Sequence, residues 1–172
     1  LENLIKSSVI NCSIVSRNEL GGKNISAWCS GAHFGVIESE SQSVIEGMSL
    51  MGHDEFSRRA FDFFIRRYDQ RGKVCNGYTL MGMGWHLRVL GQHVSRHMDV
   101  EWLEANQDKV SEMCEWIFDQ QEETKMVSES GEKVLEYGLV PPSTAADWSR
   151  LIYRTRAEAE FYSGVLEASK AL

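Results

Sequence analysis

Apolar positions recur by threes and fours along most of this chain, the period of a helix with one buried face. Residues 1–16 place Leu1, Leu4, Ile5, Ser8, Val9, Cys12 and Val15 at that spacing. Gly21-Gly22 interrupts it within 18–23, and residues 24–37 have no period, which predicts a loop with a short extended piece. A second helix is predicted over 38–51 on Val44, Ile45, Met48 and Met51, closed by Gly52. A third follows over 55–70 on Phe56, Ala60, Phe64, Ile65 and Tyr68, with Asp54 as its expected N-cap.

The fourth, 79–94, carries Leu80, Met83, Leu87, Leu90 and Val94. Its small residues Gly82, Gly84 and Gly91 lower helix propensity but let a neighbour come close. Asp99 is expected to cap a long helix reaching 121, with Leu103, Val110, Met113, Cys114 and Ile117 inward. The polar stretch 122–132 is expected to be mobile. The only two prolines, Pro141 and Pro142, force extended backbone ahead of a last helix over 154–172 on Ala157, Phe161, Val165, Leu166 and Ala168. The expected fold is all-α, a single domain of antiparallel helical hairpins.

Composition narrows the function classes. A chain of 172 residues, 42% hydrophobic and 25% charged, suits one globular domain. Its net charge of −7 offers no basic stripe for phosphates, and Arg58, Arg59, Arg66 and Arg67 alternate with phenylalanines as the wet side of a helix, so no nucleic-acid partner is expected. No apolar run is long enough to span a membrane. Cys12, Cys29, Cys75 and Cys114 are widely spaced and read as free thiols. The start at Leu1-Glu2-Asn3-Leu4 reads as a cut, and the lack of a leader-like segment gives a cytoplasmic default.

Helices joined by short loops pack antiparallel. The connections near 52–53 and 96–98 are short, and those at 17–37, 70–77 and 122–150 are long. Alternation therefore collects the long connections at one end, where function tends to gather. That argument selects Trp28, His33, Glu38, Glu40, Asn76, Tyr78, Tyr137, Asp147 and Trp148 as neighbours. Six of them have a plainer reading. Glu38 and Glu40 suit the first turn of a helix through its dipole, Asp147 suits an N-cap, Trp28 and Trp148 suit core edges, and His33 suits an ordinary loop.

Three passages carry a likeness to a known family: His33-Phe-Gly-Val-Ile-Glu-Ser-Glu40 with its helix ending at Gly52; Gly84-Trp85-His86-Leu87 followed by Asp99-Val-Glu-Trp102-Leu103; and Tyr137-Gly-Leu-Val-Pro-Pro with Asp147-Trp148. On these the chain resembles the six-hairpin glycosidase superfamily, α/α toroids of the glucoamylase and trehalase type. The family's aromatic-Arg-Asp stretch lacks its Trp-Arg here, with Glu40 at the Asp position. The resemblance implies about half of a toroid, its remainder supplied by missing sequence or by a homodimer.

The resemblance further implies an inverting glycoside hydrolase-like domain acting on an oligosaccharide or glycoside, either active or incomplete and inactive alone. Two carboxyl groups about 6.5–9.5 Å apart serve such a reaction. Glu40 and Asp147 are the expected catalytic pair; Trp28, His33, Glu38, Tyr78, Tyr137 and Trp148 are the expected sugar contacts. The competing class is a non-catalytic helical-hairpin scaffold for another protein.

No cofactor is expected. His93 and His97 stand four apart, with His86 seven before His93, yet no HExxH arrangement or fourth ligand is visible, so no metal is expected.

Overall fold

A computed structural model describes residues 1–30, 35–70, 82–144 and 150–172. Its elements are α1 (Glu2–Val15), β1 (Arg17–Glu19), β2 (Asn24–Ser26), α2 (Glu38–Leu50), α3 (Asp54–Gln70), α4 (Gly82–His97), α5 (Val100–Glu123) and α6 (Thr155–Ala171). The fold is mostly helical, as the periodicity predicts.

The non-periodic stretch after α1 is a small antiparallel hairpin. Arg17 pairs with Ser26 and Glu19 with Asn24, around a tight turn at Leu20–Gly22 where Gly21 takes φ +65°. All three β2 residues are buried, and β2 lies on α3. Arg59 reaches Asn18, and Arg66 stands 3.7 Å from Glu19, so α3 grips the hairpin through its polar side. Helix α1 buries no residue fully; Leu4, Ile10 and Ile14 stay exposed.

Helices α2, α4 and α6 run parallel in one row, with α3 and α5 antiparallel to them. The register shows it: Glu46 meets Arg88 at 3.8 Å and Ser49 meets His93 at 2.8 Å, both pairs advancing together along α2 and α4. Arg88 also stands 3.7 Å from Glu160 of α6, so one guanidinium spans the row.

Among the described residues α4 and α6 make the most extensive contact, and glycine makes it possible. A Cβ on Gly84 would lie 2.7 Å from the Glu160 backbone, and one on Gly91 would run into the Glu167 backbone. Gly164 faces Gly84 just as closely. Ala157, Phe161 and Ala168 complete the α6 face at the same helical spacing.

The core fills the space between the layers with Phe61, Phe64, Tyr68, Leu87, Leu90, Val110, Met113 and Ile117. Each such side chain contributes about 1.5–3 kcal/mol by leaving water. Gly52 takes φ +79° after α2, the left-handed position a helix stop favours. Asp54 is the first residue of α3 rather than its cap, and Asp99 caps α5 by position without a side-chain cap bond.

The polar stretch 122–132, expected mobile, folds back on itself. Val127 bridges Lys133, and Ser128 receives backbone bonds from Gly131 and accepts Glu132 at its hydroxyl. Ser143 bridges Ile152 beyond the prolines, drawing the two sides of that loop together.

Candidate functional site

The long-connection end holds part of the expected site. Trp28 follows directly on β2. Its Nε1–H donates to Ser26 Oγ at 3.1 Å, and the Arg17 guanidinium lies 3.4 Å from the ring centroid. A Cβ on Gly35 would sit 3.8 Å from the same ring, so the returning chain lies against the indole.

Cys29 is half-buried beside it. Burial pushes its thiol pKa up, the Ile37 backbone opposes that, and the charges of Glu40 and Glu38 push it further. The Cys29 thiol therefore lies within reach of the Glu38 and Glu40 charges and is held unreactive.

The two carboxylates differ. Glu38 is buried at 7% exposure, and Arg67 of α3 reaches Glu38 Oε1 through both Nε at 3.0 Å and Nη2 at 2.9 Å. That two-pronged pair fixes α2 to α3 through one oxygen of Glu38. Glu40 is exposed on the next part of the same turn, accepting from Ser39 Oγ.

Tyr137 is half-buried and anchored elsewhere. Lys133 Nζ lies 4.2 Å from its ring, and the following Gly138 packs on Lys125 at the end of α5. Val140 N–H donates to Glu158 Oε1 at 2.7 Å, tying this segment to the first turn of α6. Burial raises the Glu158 pKa, and that backbone bond opposes the rise. His33, Asn76, Tyr78, Asp147 and Trp148 lie outside the described residues.

The opposite end, with the short connections, carries a denser polar network than the sequence argument allowed. Met98 takes φ +53° after α4, a strained conformation for a side chain of that size, and the turn brings Asp99 back beneath the helix it has just left. Asp99 is 4% exposed. Arg58 of α3 pairs with its Oδ2, and His93 Nε2 lies 3.2 Å from the same atom.

On the other side of the His93 ring, Nδ1 meets Ser49 Oγ of α2 at 2.8 Å. His97 Nε2 lies 3.1 Å from the Ser49 carbonyl oxygen, and its Nδ1 lies 3.2 Å from Asp54 Oδ1. Burial lowers the His93 pKa, with the Asp99 bond opposing, so this ring is neutral at pH 7. The i, i+4 spacing of His93 and His97 was legible; Ser49, Asp54 and Arg58 arrive from distant sequence.

Midway along α4, His86 is fully buried among Phe61, Phe64 and Tyr68, with both ring nitrogens lacking a hydrogen bond. Burial alone brings its pKa down to about 3. It is a neutral core side chain, the bland role for such a histidine.

Comparison with known protein families, curated proteins and solved structures finds no match to this chain.

Proposed function

We propose that the chain is a carbohydrate-active, glycoside hydrolase-like helical domain that binds a sugar at the long-connection end, as part of a larger toroid-type assembly. One observation supports this most: a positioned indole, Trp28, next in sequence to Cys29, whose thiol feels the charge of the exposed carboxylate Glu40 on the first turn of α2. A pyranose presents an apolar face to an aromatic ring and hydroxyl donors to a carboxylate, and this pair offers both. Arg17 is the group a sugar ring would displace or stack beside.

In this reading Glu40 and Asp147 are the acid–base pair of an inverting reaction. Glu38 pairs with Arg67 through Oε1. A half ring that holds only one member of the family's pair would bind sugar without cutting it. Titration calorimetry against short α- and β-glucosides, mannosides and rhamnosides tests it, with Glu40→Gln and Asp147→Asn beside the unaltered chain. Saturable binding lost in either variant is the expected result; absence of binding across the panel overturns the reading.

A second reading, a helical scaffold for a protein partner, has its own support. Ile117, Phe118, Phe161, Tyr162, Val165 and Leu166 line an apolar groove along α5 and α6, with Phe118 52% and Tyr162 72% exposed. Exposed apolar surface of this kind commonly meets another chain. A homodimer or the rest of a ring would cover it, and native mass at micromolar concentration distinguishes monomer from dimer.

A further inference from the structure

We propose that Asp54, His93 and His97 form a binding site for a divalent transition metal, zinc being the best match, where α2, α3 and α4 meet at the short-connection end. One donor atom from each residue lies within 4.8 Å of the others. Two imidazoles and a carboxylate form a donor set that suits zinc, and histidines four apart on a helix present their rings to one ion. Here the two rings lie 4.7 Å apart and tilted by 37°.

Hydrogen bonding fixes which nitrogen of each ring is free. Asp99 is a carboxylate held by Arg58, so it accepts, and His93 carries its proton on Nε2. The Ser49 carbonyl can only accept, so His97 also carries its proton on Nε2. In the neutral rings the lone pair of each is then on Nδ1. A metal-binding histidine normally donates its other N–H to a carboxylate or a backbone carbonyl; His93 has the first partner and His97 the second.

The decisive atom is Asp54 Oδ1. It is buried, makes no hydrogen bond, and stands 3.2 Å from His97 Nδ1. Two lone pairs facing across that distance need a positive centre between them, either a proton on His97 Nδ1 or a metal ion. A tetrahedral ion with bonds of about 2.0–2.1 Å sets its ligands about 3.3 Å apart, and the Asp54–His97 edge already has that length.

The remaining edges close by side-chain rotation, and Ser49 Oγ, which now donates to His93 Nδ1, turns away or joins the coordination. Half-exposed Asp54 leaves room for a water ligand. This site lies at the opposite end of the bundle from Trp28 and Glu40 and stands independently of any sugar binding.

Calorimetry of the full chain with Zn²⁺ alone, and the visible absorption of Co²⁺ substituted for it, test the proposal. One equivalent is expected to bind and to raise the unfolding temperature, with a Co²⁺ spectrum of nitrogen and oxygen ligation lacking intense thiolate bands. His97→Gln and Asp54→Asn should each weaken binding at least about tenfold while keeping the native circular dichroism. Asp99→Asn, acting through His93, should weaken it by about 10–100-fold. His53→Gln, on the exposed side of the same turn, should leave it unchanged. Absence of binding at micromolar zinc, or binding unaffected by His97→Gln and Asp54→Asn, overturns the proposal; the first result would leave a proton bridging Asp54 and His97.

Discussion

The two ends of the helix bundle make opposite uses of the same residue types. At the short-connection end, side chains from α2, α3 and α4 and the residue preceding α5 interlock through Ser49, Arg58, His93 and Asp99, three of them buried. At the long-connection end, Glu38 and Arg67 form one partly buried clasp, and the chemistry beside it, Trp28 and Glu40, stands nearer to water. Short connections leave the backbones little freedom, so distant polar groups can be brought into register and satisfied. Long connections carry side chains that a ligand can reach. The lesson is that loop length alone does not locate a site: it separates a prebuilt polar cage from an accessible surface.

The sharpest way to break this comparison is to disturb the frame both ends share. Gly91→Leu would drive a side chain into the Glu167 backbone and push α4 off α6. A loss of about 3 kcal/mol or more is expected by chemical denaturation. Next comes Asp99→Ala, which strips His93 and Arg58 of their acceptor; about 2–3 kcal/mol is expected, since the half-exposed arginine can turn to water. Glu38→Ala at the other end should cost less, about 1–2 kcal/mol, and a reversed order would contradict the contrast between the ends.

Acidity probes the buried histidines. Both His86 and His93 have native pKa values lowered by burial, from a starting value of 6.5. The unfolded chain therefore binds more protons below about pH 6.5, and stability falls as pH drops through that range. For His86 the loss continues to about pH 3. One proton accounts for about 1.4 kcal/mol per pH unit.

Asp62 and Glu158 are raised by burial, opposed by Trp102 and by the Val140 backbone respectively; their contribution is present at acid pH and lost as pH rises through their native values, so they flatten the acid side. His86→Leu should remove about one proton from the pH dependence and leave neutral-pH stability unchanged or improved, read from urea midpoints across pH. The smallest effect belongs to Glu40→Gln, within about 0.5 kcal/mol in stability because the side chain is exposed; its consequence should appear in sugar affinity alone.

Much of this was legible in the chain. Helices α2, α3, α5 and α6 follow the apolar period closely, and the glycines noted at 84 and 91 are the ones α6 packs against. Of the β1–β2 hairpin only a short extended piece was, because strands of three residues leave too little alternation to read. Asp99 looked like an ordinary helix cap; only the left-handed turn at Met98 shows that its carboxylate faces back to His93.

His93 and His97 announced their spacing but not their partners, since Ser49 and Asp54 are joined to them only by the packing of α2 and α3 on α4. At the other end the pattern singled out Glu38, while its Arg67 pairing depended on helix rotation that no local pattern reveals.

The most direct test of the sugar site is the indole N–H spectrum of the isotope-labelled chain during titration with a panel glycoside. Trp28, bonded to Ser26, should shift with saturation, while Trp102, bonded to Asp62 toward the opposite end, should stay still. If neither moves across the panel, or Trp102 moves and Trp28 does not, the sugar-binding account of the long-connection end is wrong.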